Sequence, residues 1–506
     1  MNTAVSQEGG GAQLMATVSI MLATVMQVLD MTIANVALPH MQGSMSATLD
    51  QIDWVLTSYI VASAIMTPPT GYLTDRFGRK RLFMTAVGGF TIASMLCGTA
   101  TSLVELVFFR IVQGAFGASL VPLSQSLLLD TYPREKHGSA MALWGVGVMV
   151  GPILGPTLGG YLTEVYNWRW VFYINLPVGI LALLGIAAFT HETERNRHRP
   201  FDLFGFALLS LAIGAMQLMF DRGTSQNWFD SAEVTLEAVS GVLFLYLFLV
   251  HMFTARHPFI EPALFKDRNL VVGLMLIFFM GIILLATLAL LPPFLQNLAG
   301  YPVITTGFVL APRGVGTMGA MIVVGRLINK VDVRYLIVFG MLMMGISLWE
   351  MAGFTADVDI FTLVHTGIVQ GIGFGFIFVP LSTVTFSTLA PHLRTEGTSM
   401  FSLMRNLGSS LGISIMVTLL GYNVQTNHAV ISEVLTPFSA ALKGASAVWD
   451  ITTTQGLAAL NAEVTRQAAS ISYMNDFRLM LWMTLCAVPL LLLLRPARQA
   501  PGPAAA

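Results

Sequence analysis

GYLTDRFGRKRL, residues Gly71 to Leu82, sets Asp75, Arg76, Arg79, Lys80 and Arg81 between an apolar run that ends at Leu73 and another that begins at Leu82. Two apolar runs of membrane-crossing length joined by a short basic segment read as consecutive spans, with the loop held on the side that retains Lys and Arg. A degraded copy, GRLINKVDVR, starts 254 positions later at Gly325. RIVQG (Arg110 to Gly114) returns as GIVQG (Gly367 to Gly371) at an offset of 257. Two matches at nearly one offset predict two similar halves, an arrangement that puts a substrate site between them near the midplane.

Outward from this loop, the whole chain reads as membrane protein. Of its 506 residues, 55% are hydrophobic and 10% charged, whereas soluble domains carry about 25% charged residues. Fourteen apolar runs are long enough to span. Six lie at 14–39, 52–73, 82–99, 103–129, 139–162 and 171–189, two at 203–220 and 234–253, and six at 271–298, 305–327, 335–354, 361–389, 398–421 and 479–494. With both termini cytoplasmic, the inner loops and tail hold 18 of the 26 Lys and Arg residues, as the positive-inside rule requires. The expected fold class is therefore an all-α membrane protein of two six-helix bundles (1–190 and 270–498) separated by two inserted spans (191–269). A long outer loop (422–476) and a disordered cytoplasmic tail (499–506) complete it. A net charge of −1 excludes nucleic-acid binding. Cys97 and Cys486 lie in apolar runs and read as buried hydrophobes, not as a disulfide or metal set. The polar start to Gln13 lacks the charged region of a cleaved signal, so the first run is expected to be a retained span.

The Gly71 loop, VFFRIVQG (Val107 to Gly114) and GVMVGPILGPTLGG (Gly147 to Gly160) together resemble the signature motifs of major facilitator drug:proton antiporters. LDMTIANVALP (Leu29 to Pro39), WRWVFYINLPVG (Trp168 to Gly179) and LLPPFLQNLAGYP (Leu290 to Pro302) extend the resemblance to the fourteen-span branch and its EmrB-type multidrug exporters. The likeness implies proton-driven efflux of hydrophobic drugs or uncouplers from the bacterial inner membrane. It also implies an EmrA-like periplasmic adaptor and a TolC-like outer-membrane channel. No cofactor beyond the proton gradient and no enzymatic activity are expected. Export of one endogenous metabolite or siderophore, or proton symport, is the alternative.

Asp30 is the first candidate for proton coupling. A charge inside hydrocarbon costs at least about 2.5–3.5 kcal/mol, so it should face a cavity or a partner. It stands eight residues from Leu38, about 12 Å deep, and Arg110 stands seven residues from Leu103, about 10 Å deep. Their separation would then set whether Asp30 holds its proton. A fixed ion pair that only locks helix packing is the other reading. In the family these two positions are implicated in coupling.

At the basic loop, Asp75 is expected to cap the thirteenth span near Gly397 and so latch the cytoplasmic gate. Gly71 and Gly78 would allow close approach and a tight turn, beside Arg76 and Arg79. Gly147, Gly151, Gly155 and Gly159 recur every four residues and form a smooth helix face for contact, followed by Gly160. Pro152 and Pro156 invite a bend, and the resemblance assigns this stretch to antiporters. Candidate cavity residues are Gln27, Asn35, Tyr59, Gln113, Gln296, Arg313, His365, Gln370, Arg405 and Asn406. Arg313 and Arg405 suit anionic substrates or helix packing. In the outer loop, Leu457, Leu460, Val464, Ala468 and Ile471 follow helical spacing, as an adaptor contact or as a cap over the cavity.

Overall fold

A computed structural model describes residues 10–190, 192, 200–435 and 453–495. Among them all regular structure is helical. The first unit comprises α1 (Gly10–Met45), α2 (Trp54–Met66), α3 (Thr70–Phe77), α4 (Arg79–Thr99), α5 (Leu103–Gly117), α6 (Leu120–Thr131), α7 (His137–Val165) and α8 (Asn175–Phe189). The inserted pair is α9 (Leu203–Arg222) and α10 (Ala232–Thr254). The second unit comprises α11 (Arg268–Pro293), α12 (Val303–Leu327), α13 (Val333–Met351), α14 (Ile360–Ser387), α15 (Arg394–Val434) and α16 (Thr454–Ala487). Among the described residues, thirteen segments are long and apolar enough to cross a membrane, and α2 is a shorter apolar helix. Continued by α3, it makes the fourteenth crossing.

Prolines explain the breaks in the second and fourth spans. Thr67-Pro68-Pro69 separates α2 from α3, because proline has no N–H for the helical ladder. The fourth span divides between α5 and α6, where Pro122 cannot donate to the carbonyl of Ala118. Thr67 Oγ1 donates to that carbonyl instead, at 3.5 Å. By contrast, α7 runs through both Pro152 and Pro156 without interruption.

Small residues let the helices approach closely. A Cβ at Gly114 would lie 2.5 Å from the carbonyl oxygen of Tyr59, and one at Gly340 would lie 2.7 Å from that of Gly373. Contacts of this kind supply the packing attraction that apolar solvent does not. The inserted helix α9 bridges the units. Asp221 accepts from Thr57 of α2, and Gln217 donates to Ser410 of α15 at 2.6 Å.

Three expectations need correction. Residues 422–476 are not a loop throughout, because α15 continues unbroken to Val434 and α16 begins at Thr454. At 1.5 Å per residue the 41 residues of α15 extend about 60 Å, against about 30 Å of hydrocarbon. The two helices pair beyond the apolar stretch, through Asn427 to Ser472 and His428 with Asn461, both at 3.0 Å. Second, Val464 and Ala468 of the apolar stripe are buried within the chain, which leaves Leu457 as its most exposed large residue. Third, Cys486 is exposed rather than buried.

Candidate functional site

Asp30 sits in the middle of α1 and is 1% exposed. Of the two surroundings expected for it, a cavity or a partner, it has the partner. Its charge is met by side chains from two other helices of the first unit. Arg110 Nη1 donates to Oδ2 at 2.7 Å, while Gln113 Nε2 and Asn175 Nδ2 donate to Oδ1 at 2.9 and 2.7 Å. The i, i+3 spacing on α5 brings Arg110 and Gln113 to one face, and they bond each other at 2.8 Å. Arg110 is fixed further by donation from Nε to the Val55 carbonyl at 3.0 Å and by the Tyr59 ring, 4.2 Å from Cζ. Its Nη2 has no hydrogen-bond partner. Asn175 also donates to Ser94 Oγ at 2.9 Å.

This set suits an ionised carboxylate, which accepts from one cation and two amides. A proton on Asp30 would remove the charge that makes the Arg110 bond strong. The spare Nη2 donor offers Arg110 another acceptor when that happens. The structure thus joins Asp30, Arg110, Gln113 and Tyr59 and adds Ser94 and Asn175, which the sequence reading did not single out. Asn175 lies in the quoted WRWVFYINLPVG stretch, where a polar residue amid apolar ones was the available signal.

The offset of 257 that relates RIVQG to GIVQG carries Asp30 onto Thr287 and Gln113 onto Gln370. Gln370 Nε2 donates to Thr287 Oγ1 at 3.4 Å, so the contact recurs in the second unit without its charge.

At the basic end the two units meet. Asp130, at the end of α6, pairs with Arg79 of α4 and, at 2.9 Å, with Arg394 at the start of α15. Ser126 and Thr395 share a hydrogen bond of 3.0 Å, and Thr398 donates to the Pro122 carbonyl at 3.1 Å. A Cβ on Gly71 would lie 3.2 Å from Glu396 Cα, so glycine permits α3 to reach α15. Gly78 has φ +90°, the left-handed region that favours glycine. Glu192 receives the Lys80 and Arg81 amides at 3.2 and 3.3 Å, which satisfies the free N–H groups at the start of α4. Arg76 is exposed and donates to Tyr72 Oη at 2.8 Å. The cross-unit ion pair therefore runs through Asp130, an acid the sequence reading passed over. Asp75 lies near Arg79 and acts on its charge.

Gly147, Gly151, Gly155 and Gly159 all abut α1, where added Cβ atoms would meet Met21, Val28, Thr32 and Ile33 within 3.2 Å. Gly160 has open space. The stripe thus packs α7 against the helix that carries Asp30.

Gln27 lies beside Tyr59 at the edge of this site, and the remaining candidates do not converge on it. Asn35 is exposed on α1, Gln27 is buried, and Gln296 lies in a single π-helical turn, Phe294–Leu298. His365 is half-exposed and lies 3.4 Å from Glu350 of α13. Arg313 is 7% exposed, and neither Nη has a hydrogen-bond partner. Arg405 and Asn406 are half-buried on α15.

Residues 20–413 match the Major Facilitator Superfamily. The chain is 38% identical over 432 residues to Multidrug export protein EmrB of Escherichia coli strain K12, covering 85% of this chain and 84% of the relative. It is 36% identical over 497 residues to Fatty acid resistance protein FarB of Neisseria gonorrhoeae, covering 97% and 98%. Among solved structures, the human organic anion transporter MFSD10 superimposes with a TM-score of 0.61 at 14% identity, over 93% of this chain and 99% of that one. Its fold is the same. With motifs, helix order and relatives in agreement, the chain belongs to the major facilitator superfamily, in its EmrB-type branch.

Proposed function

We propose that the chain is a multidrug efflux transporter that exchanges protons for hydrophobic compounds across the bacterial inner membrane, with both termini cytoplasmic. The observation that carries this reading is Asp30, enclosed with Arg110, Gln113 and Asn175. A proton entering from the outer side neutralises Asp30 and weakens its bond to Arg110. The units then rock, and the proton leaves to the cytoplasm as a substrate takes up the cavity. Closure at the basic end through Asp130 and Arg394 corresponds to the outward-facing stage of that cycle.

The cargo extends to acidic amphiphiles. Arg313 carries an intramembrane cation whose Nη atoms lack partners, a costly arrangement that an anionic ligand relieves. A relative named for fatty acid resistance supports the same class. The α15–α16 extension, projecting on the outer side, is the surface for an EmrA-like adaptor that leads to a TolC-like channel.

Dye accumulation in everted vesicles, whose lumen corresponds to the outer side, measured with and without a proton gradient, tests the reading. Gradient-driven accumulation is expected in the wild type and is lost in Asp30→Asn. Persistence of driven accumulation in that variant refutes proton exchange at Asp30.

A further inference from the structure

The second unit keeps the scaffold of the Asp30 site but moves its acid. Thr287 touches Gln370 and, at 3.7 Å, the Met480 sulfur, so Met480 occupies the place that Asn175 holds in the first unit. One turn before Met480 on α16 stands Asp476. It is 1% exposed, and its Oδ2 has no hydrogen-bond partner. Asn423 of α15 supplies a side-chain hydrogen bond, and no Lys, Arg or His pairs with the carboxylate among the described residues. The sequence reading set the last span at 479 and left this residue in a solvent loop. The continuous helix α16 puts it inside the protein.

An ionised carboxylate so placed has lost hydration and gained no counter-charge, and the neutral acid is the cheaper form. Asp30 is in the opposite situation, with a guanidinium and two amides. The titratable groups near Asp476 are few. Tyr473 lies on its own helix and Arg478 two residues on, while Glu350 of α13 is held by Thr366 at 2.9 Å. Asp357 and Asp359 follow α13 in the connection to α14, and α15 contributes only Asn423. From α11 and the turn after it comes Phe294, edge-to-face with Tyr473 at 5.3 Å between ring centroids.

A cavity of about 600 Å³ lies alongside, lined by Glu350, Asp357, Asp359 and Arg478. Phe354 forms part of its wall, and that ring is 6.5 Å from Phe477, the neighbour of Asp476. The cavity thus borders α16 at Arg478, two residues from the buried acid.

We propose that Asp476 is a second proton-carrying residue, occupied in this conformation, and loaded from the cavity beside α13 and α16. The inference rests on proton exchange at Asp30. Its chemistry is the binding of one H⁺ to a carboxylate and its later release as H⁺, with no other reactant.

Infrared difference spectroscopy on the purified full chain at neutral pH reads the protonation directly. Asp476→Asn is expected to remove a protonated-carboxyl C=O band that Asp30→Asn leaves in place. An unchanged band in Asp476→Asn overturns the proposal. If that variant does not fold, Asp476→Glu must shift the band, and an unshifted one overturns it equally. In proteoliposomes transporting ethidium, Asp476→Asn should move one proton fewer per substrate yet remain coupled, and an unaltered ratio also overturns it. Driven transport that survives in Asp30→Asn would instead refute the Asp30 reading, while the infrared band still decides the state of Asp476.

Discussion

Arg394→Gln should open the basic end of the molecule about tenfold more often, and the number follows from how Asp130 is shared. The side chains of Arg79 and Arg394 are 11% and 10% exposed, and that of Asp130 is 27% exposed. Exposed ion pairs contribute about 0.2–1 kcal/mol, and breaking a buried pair costs about 3–5 kcal/mol. These exposures place each pair between the limits, near 1.5 kcal/mol. Arg79 and Asp130 belong to the same unit and stay together when the units rock. Only the Arg394 pair is lost, so only it biases the equilibrium, and 1.4 kcal/mol is a factor of about ten. Ser126 is fully buried against Thr395. In a background with Cys97 and Cys486 replaced by serine, Ser126→Cys reacts with a maleimide in proportion to the open population. Labelling should rise about tenfold on adding Arg394→Gln. It should stay level or fall on adding Arg79→Gln, because Asp130 then serves Arg394 alone. Equal acceleration by both, or by neither, would refute the assignment of the cross-unit pair.

Other outcomes follow from the same geometry. Arg110→Lys should uncouple efflux about as fully as Asp30→Asn, since an ammonium cannot serve Val55, Asp30 and Gln113 from one planar fork. Everted-vesicle accumulation checks this, and wild-type coupling in the lysine variant counts against it. Gly114→Ala forces a methyl to 2.5 Å from a backbone carbonyl and should cost about 1–3 kcal/mol, read as a lower unfolding temperature in detergent. In the α7 stripe, Gly155→Ala should impair transport through its clash with Thr32, whereas Gly160→Ala, with open space, should not. Arg313→Gln should raise KM for anionic amphiphiles and leave that for cationic dyes unchanged, as competition transport assays would reveal.

The sequence disclosed most where composition and physics act locally. Runs of apolar residues and the placement of Lys and Arg revealed the order of crossings, because lipid imposes length and charge rules on each span separately. Asp30 and Arg110 stood out for the same reason: each is an expensive residue in an apolar run. Asp130 did not. It lies at a span end, where a charge is ordinary, and only the approach of α15 to α6 gives it two arginines. Asn175 was equally hidden, since an amide in a span attracts little notice until its distance to Asp30 is known.

Asp476 was missed through a boundary error with a physical source. Apolar composition marks where lipid contact begins, yet a helix can leave the bilayer without ending, and α16 runs from Thr454 to Ala487 across that border. The same error hid the far part of α15 and with it Asn423. A repeated scaffold also need not repeat its charge. The Asp30 position holds Thr287 in the second unit, and the acid there stands one turn along a different helix. Two carboxylates at unequal positions, one with a counter-charge and one without, face different costs of ionisation in a single conformation. Loosening of the Asp30–Arg110 bond within the first unit, coupled to rocking that admits water to Asp476, would change the environment of both carboxylates, and the infrared and Ser126 labelling measurements on one set of variants would follow both changes together.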